Sequence, residues 1–316
     1  MGKNYSLLIF KSLKDMKAAF KYFFFYLLLM VGASMAVMMF LVPIMMATGQ
    51  AVDADSLGNN AWFSSLALLG GDLAVLLVFW KRKYCSLRTD FTYDFGEGFT
   101  AKKLYIWAAV GCLGCLLFDI VVQQYVSFPE WEIEELQMLA DMMRNPIGIL
   151  TVCLTGPMVE EMVFRGAIER RLLEKNWNPW YAIVISSIFF AVAHFNLAQG
   201  ATAIVMGIFL GWVYYRTRNL WPCIMIHALN NTLCCVIGWC DPNDTLEQTG
   251  SVPIAVGALM LAVSAVLVYC GVKYIDRLTK DRVALVVESE LPPPIPVELL
   301  SSPVNEDMNT PQDETL

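Results

Sequence analysis

The sequence predicts an all-α, polytopic membrane protein with about eight transmembrane helices. Three observations carry that prediction. The 316 residues are 57% hydrophobic and only 16% charged, against about 25% charged in an ordinary soluble domain. Several apolar runs exceed about 18 residues, the length that spans hydrocarbon rather than filling a core. Finally, three of these runs keep ionisable groups, each costing about 2.5–3.5 kcal/mol at a helix centre for Asp, Lys or Arg. The chain has two histidines, His194 and His227, and both fall in apolar stretches; a third stretch carries Glu160, Glu161 and Arg165. Such a concentration points to an active site in a cavity within the helix bundle.

The elements read in order as follows. Residues 1–21 form a basic, interfacial amphipathic helix: Leu7, Phe10, Leu13, Met16 and Phe20 recur near helical spacing, with Lys3, Lys11, Lys14, Lys17 and Lys21 between them. Spans are expected at about 22–46, 61–80, 104–126, 146–169, 179–198, 200–215, 219–238 and 253–274. The sixth is the shortest, and is expected to be tilted or incomplete. Asn176-Trp177-Asn178-Pro179 reads as a cytoplasmic start for the fifth, with Pro179 in its first turn.

Loop charge supports an even count. Lys81, Arg82, Lys83, Arg88, Lys102 and Lys103 lie between spans two and three. Arg170, Arg171 and Lys175 follow span four, Arg216 and Arg218 span six, and Lys273, Arg277, Lys280 and Arg282 span eight. The alternate loops are acidic: Asp53 and Asp55, Glu130 to Glu135, and Asp241, Asp244 and Glu247. The positive-inside rule then puts both termini in the cytoplasm. Residues 22–145 are N-terminal spans and loops, 146–238 the core that carries the chemistry, and 253–274 a final span. Residues 283–316, rich in proline and acid, read as a disordered tail.

Composition also excludes. The net charge of −7 owes much to the tail, and the basic residues sit in loops, so there is no nucleic-acid footprint. The nine cysteines lie mostly in apolar helices. Cys112-x-x-Cys115 has no second pair, so they read as reduced packing residues rather than a metal site.

The fourth span reads Gly156-Pro157-Met158-Val159-Glu160-Glu161-Met162-Val163-Phe164-Arg165-Gly166. Glu161 and Arg165 are i,i+4 neighbours and can pair; Glu160 is turned by about 100° from them. One acid can therefore be structural while the other serves as a general base. The fifth span ends at His194, with Phe190 on the same face. In the seventh, His227 and Asn231 are i,i+4 and can offer donors to a developing oxyanion. Each feature alone has a plain structural alternative: a helix-end charge cluster, a histidine satisfied by a backbone carbonyl, an interhelical hydrogen bond.

Together, Glu160-Glu161-x-x-x-Arg165, Phe190-x-x-x-His194 and His227-x-x-x-Asn231 resemble the three motifs of the CAAX protease and bacteriocin-processing (CPBP, or Abi) family of intramembrane proteases, which includes the Ras-converting CAAX endopeptidases. The resemblance covers about residues 146–238. It implies peptide-bond hydrolysis with Glu160 activating water, His194 orienting that water, and His227 and Asn231 stabilising the oxyanion. Glu161, Arg165 and Phe190 would support the site. It favours a glutamate-dependent mechanism with no cofactor; the disfavoured alternative is zinc held by Glu160, His194 and His227. The expected partners are the lipid bilayer and a membrane-associated, lipidated or CAAX-like peptide, in a bacterial plasma membrane. The sequence leaves the oligomeric state open.

One geometric tension accompanies this reading. Counted from the cytoplasmic ends, Glu160 lies roughly 15 Å deep, His227 roughly 12 Å and His194 roughly 25 Å. Two further buried acids, Asp72 and Asp119, read as structural hydrogen-bonders rather than lining of a water-filled cavity. The competing functions are a non-catalytic membrane scaffold or immunity-type protein of the same fold, and a transporter. The latter normally shows repeated halves with broken helices, which the sequence does not display.

Overall fold

The computed structural model describes residues 2–49, 60–85, 92–95, 98–240, 252–281 and 283–285; side chains before residue 16 and in 92–94 and 283–285 lie outside that description. Seven described helices are long and apolar enough to cross a membrane, and one shorter apolar helix accompanies them. The all-α, polytopic architecture expected from the sequence is present, and the chain is an integral membrane protein. The acidic loops at Asp53 and Asp55 and at Asp241, Asp244 and Glu247, and the tail beyond residue 285, lie outside the described residues.

Helix α1 runs from Gly2 to Ala47 without a break. It continues through residues 21–22, where the sequence reading divides an interfacial helix from the first span. Residues 11–30 hold no Gly or Pro and no capping signal at that point, so nothing stops the helix. At about 1.5 Å per residue it outruns the roughly 30 Å hydrocarbon layer. Helix α1 packs on α2 (Ala61–Lys81), where Ser34 Oγ donates to Ala67 O at 2.8 Å. The outer face of α1 exposes Leu28, Val31, Met35, Met39 and Phe40, a surface that suits lipid.

After a short strand β1 (Thr92–Asp94) comes α3 (Ala101–Tyr125), capped by Thr100, and then α4 (Glu130–Met142). The fourth span, Pro146–Glu174, is the most enclosed of the seven. It divides into α5 (Pro146–Leu150), a π-helical segment (Thr151–Thr155), α6 (Gly156–Val163), a second π segment (Phe164–Glu169) and α7 (Arg170–Glu174). There follow α8 (Pro179–Val192), α9 (Leu197–Thr217), α10 (Leu220–Cys240) and α11 (Ile254–Leu278).

Helices α3 and α11 form the most extensive helix pair. Small residues allow it: a Cβ on Gly114 would meet Ser264 O at 2.7 Å, and one on Gly271 would meet Trp107 O and Gly111 Cα at 2.9 Å. Ser264 Oγ donates to Gly114 O at 2.7 Å, and Trp107 stacks on Tyr274. Close backbone approach plus an interhelical hydrogen bond is how membrane helices associate without a hydrophobic driving force. Strand β2 (Val283–Leu285), placed by the sequence at the start of the tail, pairs antiparallel with β1, Tyr93 opposite Ala284.

The fifth and sixth spans differ from expectation. Helix α8 has 14 residues, about 21 Å, too short to cross the bilayer. Helix α9, expected to be the short one, has 21 residues. The boundary moved because Asn196, not a residue near 200, starts α9: its side chain accepts from Gln199 N at 3.1 Å. His194 consequently lies in the turn between α8 and α9 rather than inside a helix.

Candidate active site

The site is built on α6, between the two π segments. A π-helical turn uses i→i+5 hydrogen bonds and often marks a functional position. Here the Gly156 N–H goes back five residues to Thr151 O. The next residue, Pro157, has no N–H to offer Val152 O. Neither in-helix donor is therefore available to that carbonyl, and inside a membrane water cannot replace it. Asn231 of α10 fills the place, donating from Nδ2 to Val152 O at 2.9 Å. At the same junction Thr155 Oγ1 donates to Asp72 Oδ2 at 2.6 Å. On the far side of α6, Ser186 Oγ of α8 donates to Phe164 O at 2.7 Å. The helix carrying the acids is thus pinned at both ends by side chains from α2, α8 and α10.

Glu161 and Arg165 form the expected pair: Arg165 Nη1 to Glu161 Oε1 is 2.8 Å, and both side chains are 0% exposed. Arg165 Nη2 also donates to Gly207 O of α9 at 3.0 Å. The same Glu161 oxygen meets Nδ1 of His227 at 2.9 Å. A carboxylate already paired with arginine accepts rather than donates, so Nδ1 carries the hydrogen. His227 Nε2 then faces Glu160 Oε2 at 3.6 Å. Glu160 keeps 24% of its side-chain surface, unlike the sealed Glu161. The two adjacent acids are in this way separated, one enclosed in an ion-paired network and the other partly exposed.

Phe190 joins the three motifs. Its ring lies under the Arg165 guanidinium, 4.7 Å from centroid to carbon, a cation–π distance. It meets the His194 ring edge-on at 4.9 Å and the His227 ring at 5.5 Å. His194 Nδ1 lies 2.9 Å from Phe190 O. A carbonyl can only accept, so the neutral ring is held with Nδ1–H and leaves Nε2 as an acceptor. The depth tension at His194 does not prevent convergence: Glu161, Arg165, Phe190, His194 and His227 form one contiguous cluster, with Glu160 against His227.

Asp72 is buried and belongs to the charged surroundings of Glu160, together with His227, Glu161 and Arg165. Asp119 is hydrogen-bonded with Thr202 and Gln123. All nine cysteines are free thiols. Among the described residues no three His, Cys, Asp or Glu side chains group so as to hold a metal ion. Sequence reasoning missed the π segments and the role of the Val152 carbonyl, although a proline inside a span is a signal that some backbone group needs a partner.

Fold and site together define a polytopic membrane protein with an acid–imidazole centre enclosed by its helices. Residues 143–233 match the model of the Rce1-like family, described as type II CAAX prenyl endopeptidase Rce1-like. The chain is 26% identical over 220 residues to YdiL of Bacillus subtilis (strain 168), provisionally named a membrane peptidase, covering 68% of this chain and 87% of that one. It is 28% identical over 162 residues to the membrane-embedded CAAX protease MroQ of Staphylococcus aureus (strain USA300), covering 47% of this chain and 64% of that one. No solved structure matches the chain. Over the segment that carries the three motifs, the chain is thus similar to CPBP-type membrane proteases.

Proposed function

We propose that the protein is an intramembrane, glutamate-dependent endopeptidase that cuts a membrane-associated, lipidated or CAAX-like peptide. The observation that carries this is the division of labour between the two acids. Glu161 is consumed by Arg165 and His227, while Glu160 beside His227 Nε2 retains open surface. Glu160 takes a proton from water as the oxygen attacks the scissile carbonyl carbon. His194, held by Phe190 O, accepts the water's other hydrogen at Nε2 and aims its lone pair. The proton that Glu160 takes is shared with His227 Nε2, and this positive imidazole, with the second amide hydrogen of Asn231, stabilises the oxyanion. Collapse breaks the C–N bond, and Glu160 returns its proton to the leaving amine.

This chemistry uses no metal. The loop charges support a cytoplasmic location for both termini and for the basic ends of the spans. The test compares peptides released in cells carrying wild type or Glu160→Gln. A peptide set that depends on Glu160 supports the proposal, and identical sets from folded proteins overturn it.

A further inference from the structure

The acidic helix α4 contains one anomaly. Of its four glutamates, Glu130, Glu134 and Glu135 are exposed, but Glu132 is fully buried. A buried carboxylate on an otherwise solvated acidic helix needs a reason. Glu132 Oε2 accepts the backbone N–H of Ala198 at 2.9 Å. Ala198 lies in the first turn of α9, where N–H groups have no intrahelical partner and the helix dipole favours negative charge. The helix start is completed by Asn196, whose Oδ1 takes Gln199 N. Asn196 Nδ2 in turn donates to Glu135 Oε2 at 3.0 Å and reaches Glu132 O at 3.4 Å. Two residues of α4 thus close on a turn about 60 positions away in sequence.

That turn carries His194. It is short, from the end of α8 at Val192 to the start of α9 at Leu197. It passes through Phe195 at φ +52°, a left-handed conformation unfavourable for a bulky residue. On one side the backbone is fixed by His194 N to Ala191 O and Phe195 N to Val192 O. On the other it is fixed by the α4 clasp. Release of that clasp would free the strained turn to relax, and His194 would move with it.

We propose that Glu132, assisted by Glu135, is a positioning residue for His194: α4 clasps the first turn of α9 and so sets where the imidazole meets the water at Glu160. The proposal rests on His194 acting in hydrolysis as described above. Misplacement of a catalytic group by about 1 Å costs on the order of a hundredfold in rate.

The chain's two histidines permit a test independent of activity. Protein labelled at histidine with nitrogen-15, in lipid nanodiscs, gives imidazole signals assigned by a His194→Gln variant. Glu132→Ala is expected to shift and broaden the His194 signals and leave those of His227 in place. Glu132→Gln, which keeps an acceptor of the same size, is expected to have a smaller effect and serves if the alanine variant fails to fold. Glu134→Gln, on the exposed face, is the control. Against a peptide identified as a substrate, kcat for Glu132→Ala should fall about tenfold to a hundredfold while KM changes less than about twofold. Unmoved His194 signals in a folded variant, equal shifts at both histidines, or a loss confined to KM would overturn the proposal. A wild-type protein that cleaves nothing while the clasp still governs His194 would instead refute the hydrolytic function and leave the clasp intact.

Discussion

Asn231 has one duty in this structure and a second in the proposed mechanism, and they can be separated. One amide hydrogen goes to Val152 O, the carbonyl that Pro157 cannot serve. The other, in the proposed mechanism, goes to the oxyanion. Asn231→Ala should therefore lose both activity and stability. Stability should fall by about 1–3 kcal/mol, the usual cost of orphaning a buried acceptor. Pro157→Ala supplies an N–H at the i+5 position, which in the π register points toward Val152 O. In that background Asn231→Ala should cost about 1–3 kcal/mol less than in wild type, whatever Pro157→Ala does alone. Activity should stay low in the double variant, because the new backbone donor is spent on Val152. The assay is equilibrium unfolding of the four proteins in mixed detergent, with proteolysis measured in parallel. Additivity within about 0.5 kcal/mol would refute the account of the Val152 carbonyl. Recovery of proteolysis along with stability would refute the oxyanion role.

Other perturbations have equally definite outcomes. Glu160→Gln should abolish proteolysis and leave the thermal unfolding profile close to that of wild type, since Glu160 has no ion pair as tight as the one enclosing Glu161. Arg165→Ala should destabilise the protein by about 3–5 kcal/mol in the same unfolding assay, because it strands a buried carboxylate; it also frees Gly207 O and uncovers Phe190. A cost under about 1 kcal/mol would contradict that role. Gly114→Leu should separate α3 from α11 and lower expression and melting temperature, whereas the same change at Gly32, which faces open space, should be tolerated. Chelation with 1,10-phenanthroline should leave activity unchanged; a loss restored by zinc would defeat the metal-free mechanism.

Much of the fold was legible because hydropathy is a strong signal in a membrane protein. Asn178-Pro179 marked a helix start that the structure shows, with the asparagine side chain capping it. The end of α8 was not legible from hydropathy. Residues 190–198 contain no Gly or Pro, so the apolar run conceals a stop. Asn196 followed by Gln199 was the available clue, an N-cap pattern set inside an apolar stretch. The i,i+4 spacing of Glu161 and Arg165 gave their pairing directly. It could not give the contact of His227 with Glu161, because a helical wheel orients residues on one helix and is silent on which neighbour comes into range. Glu132 was read as one charge in an acidic loop for the same reason: its partner, Ala198, is a backbone group that no side-chain pattern announces.

Two facts about depth now fit together. A single helix from Pro179 through His194 and on to residue 198 would have carried His194 past the acids. Helix α8 instead stops at Val192, and the chain turns back at Phe195. That leaves His194 against the Phe190 ring, which also touches His227 and Arg165. An aromatic ring can do this because its edge and face accept different neighbours, the imidazoles meeting it nearly perpendicular and the guanidinium lying over its face. Phe190 is 2% exposed, so the ring itself is sealed. A smaller residue there would leave a cavity among three charged or polar groups, and water entering it would compete for the hydrogen bonds that hold them. Phe190→Leu should therefore impair catalysis more than its modest loss of apolar contact would suggest, with kcat falling while membrane insertion is retained. A variant that lost stability in proportion to buried area and kept its kcat would show that Phe190 is packing alone.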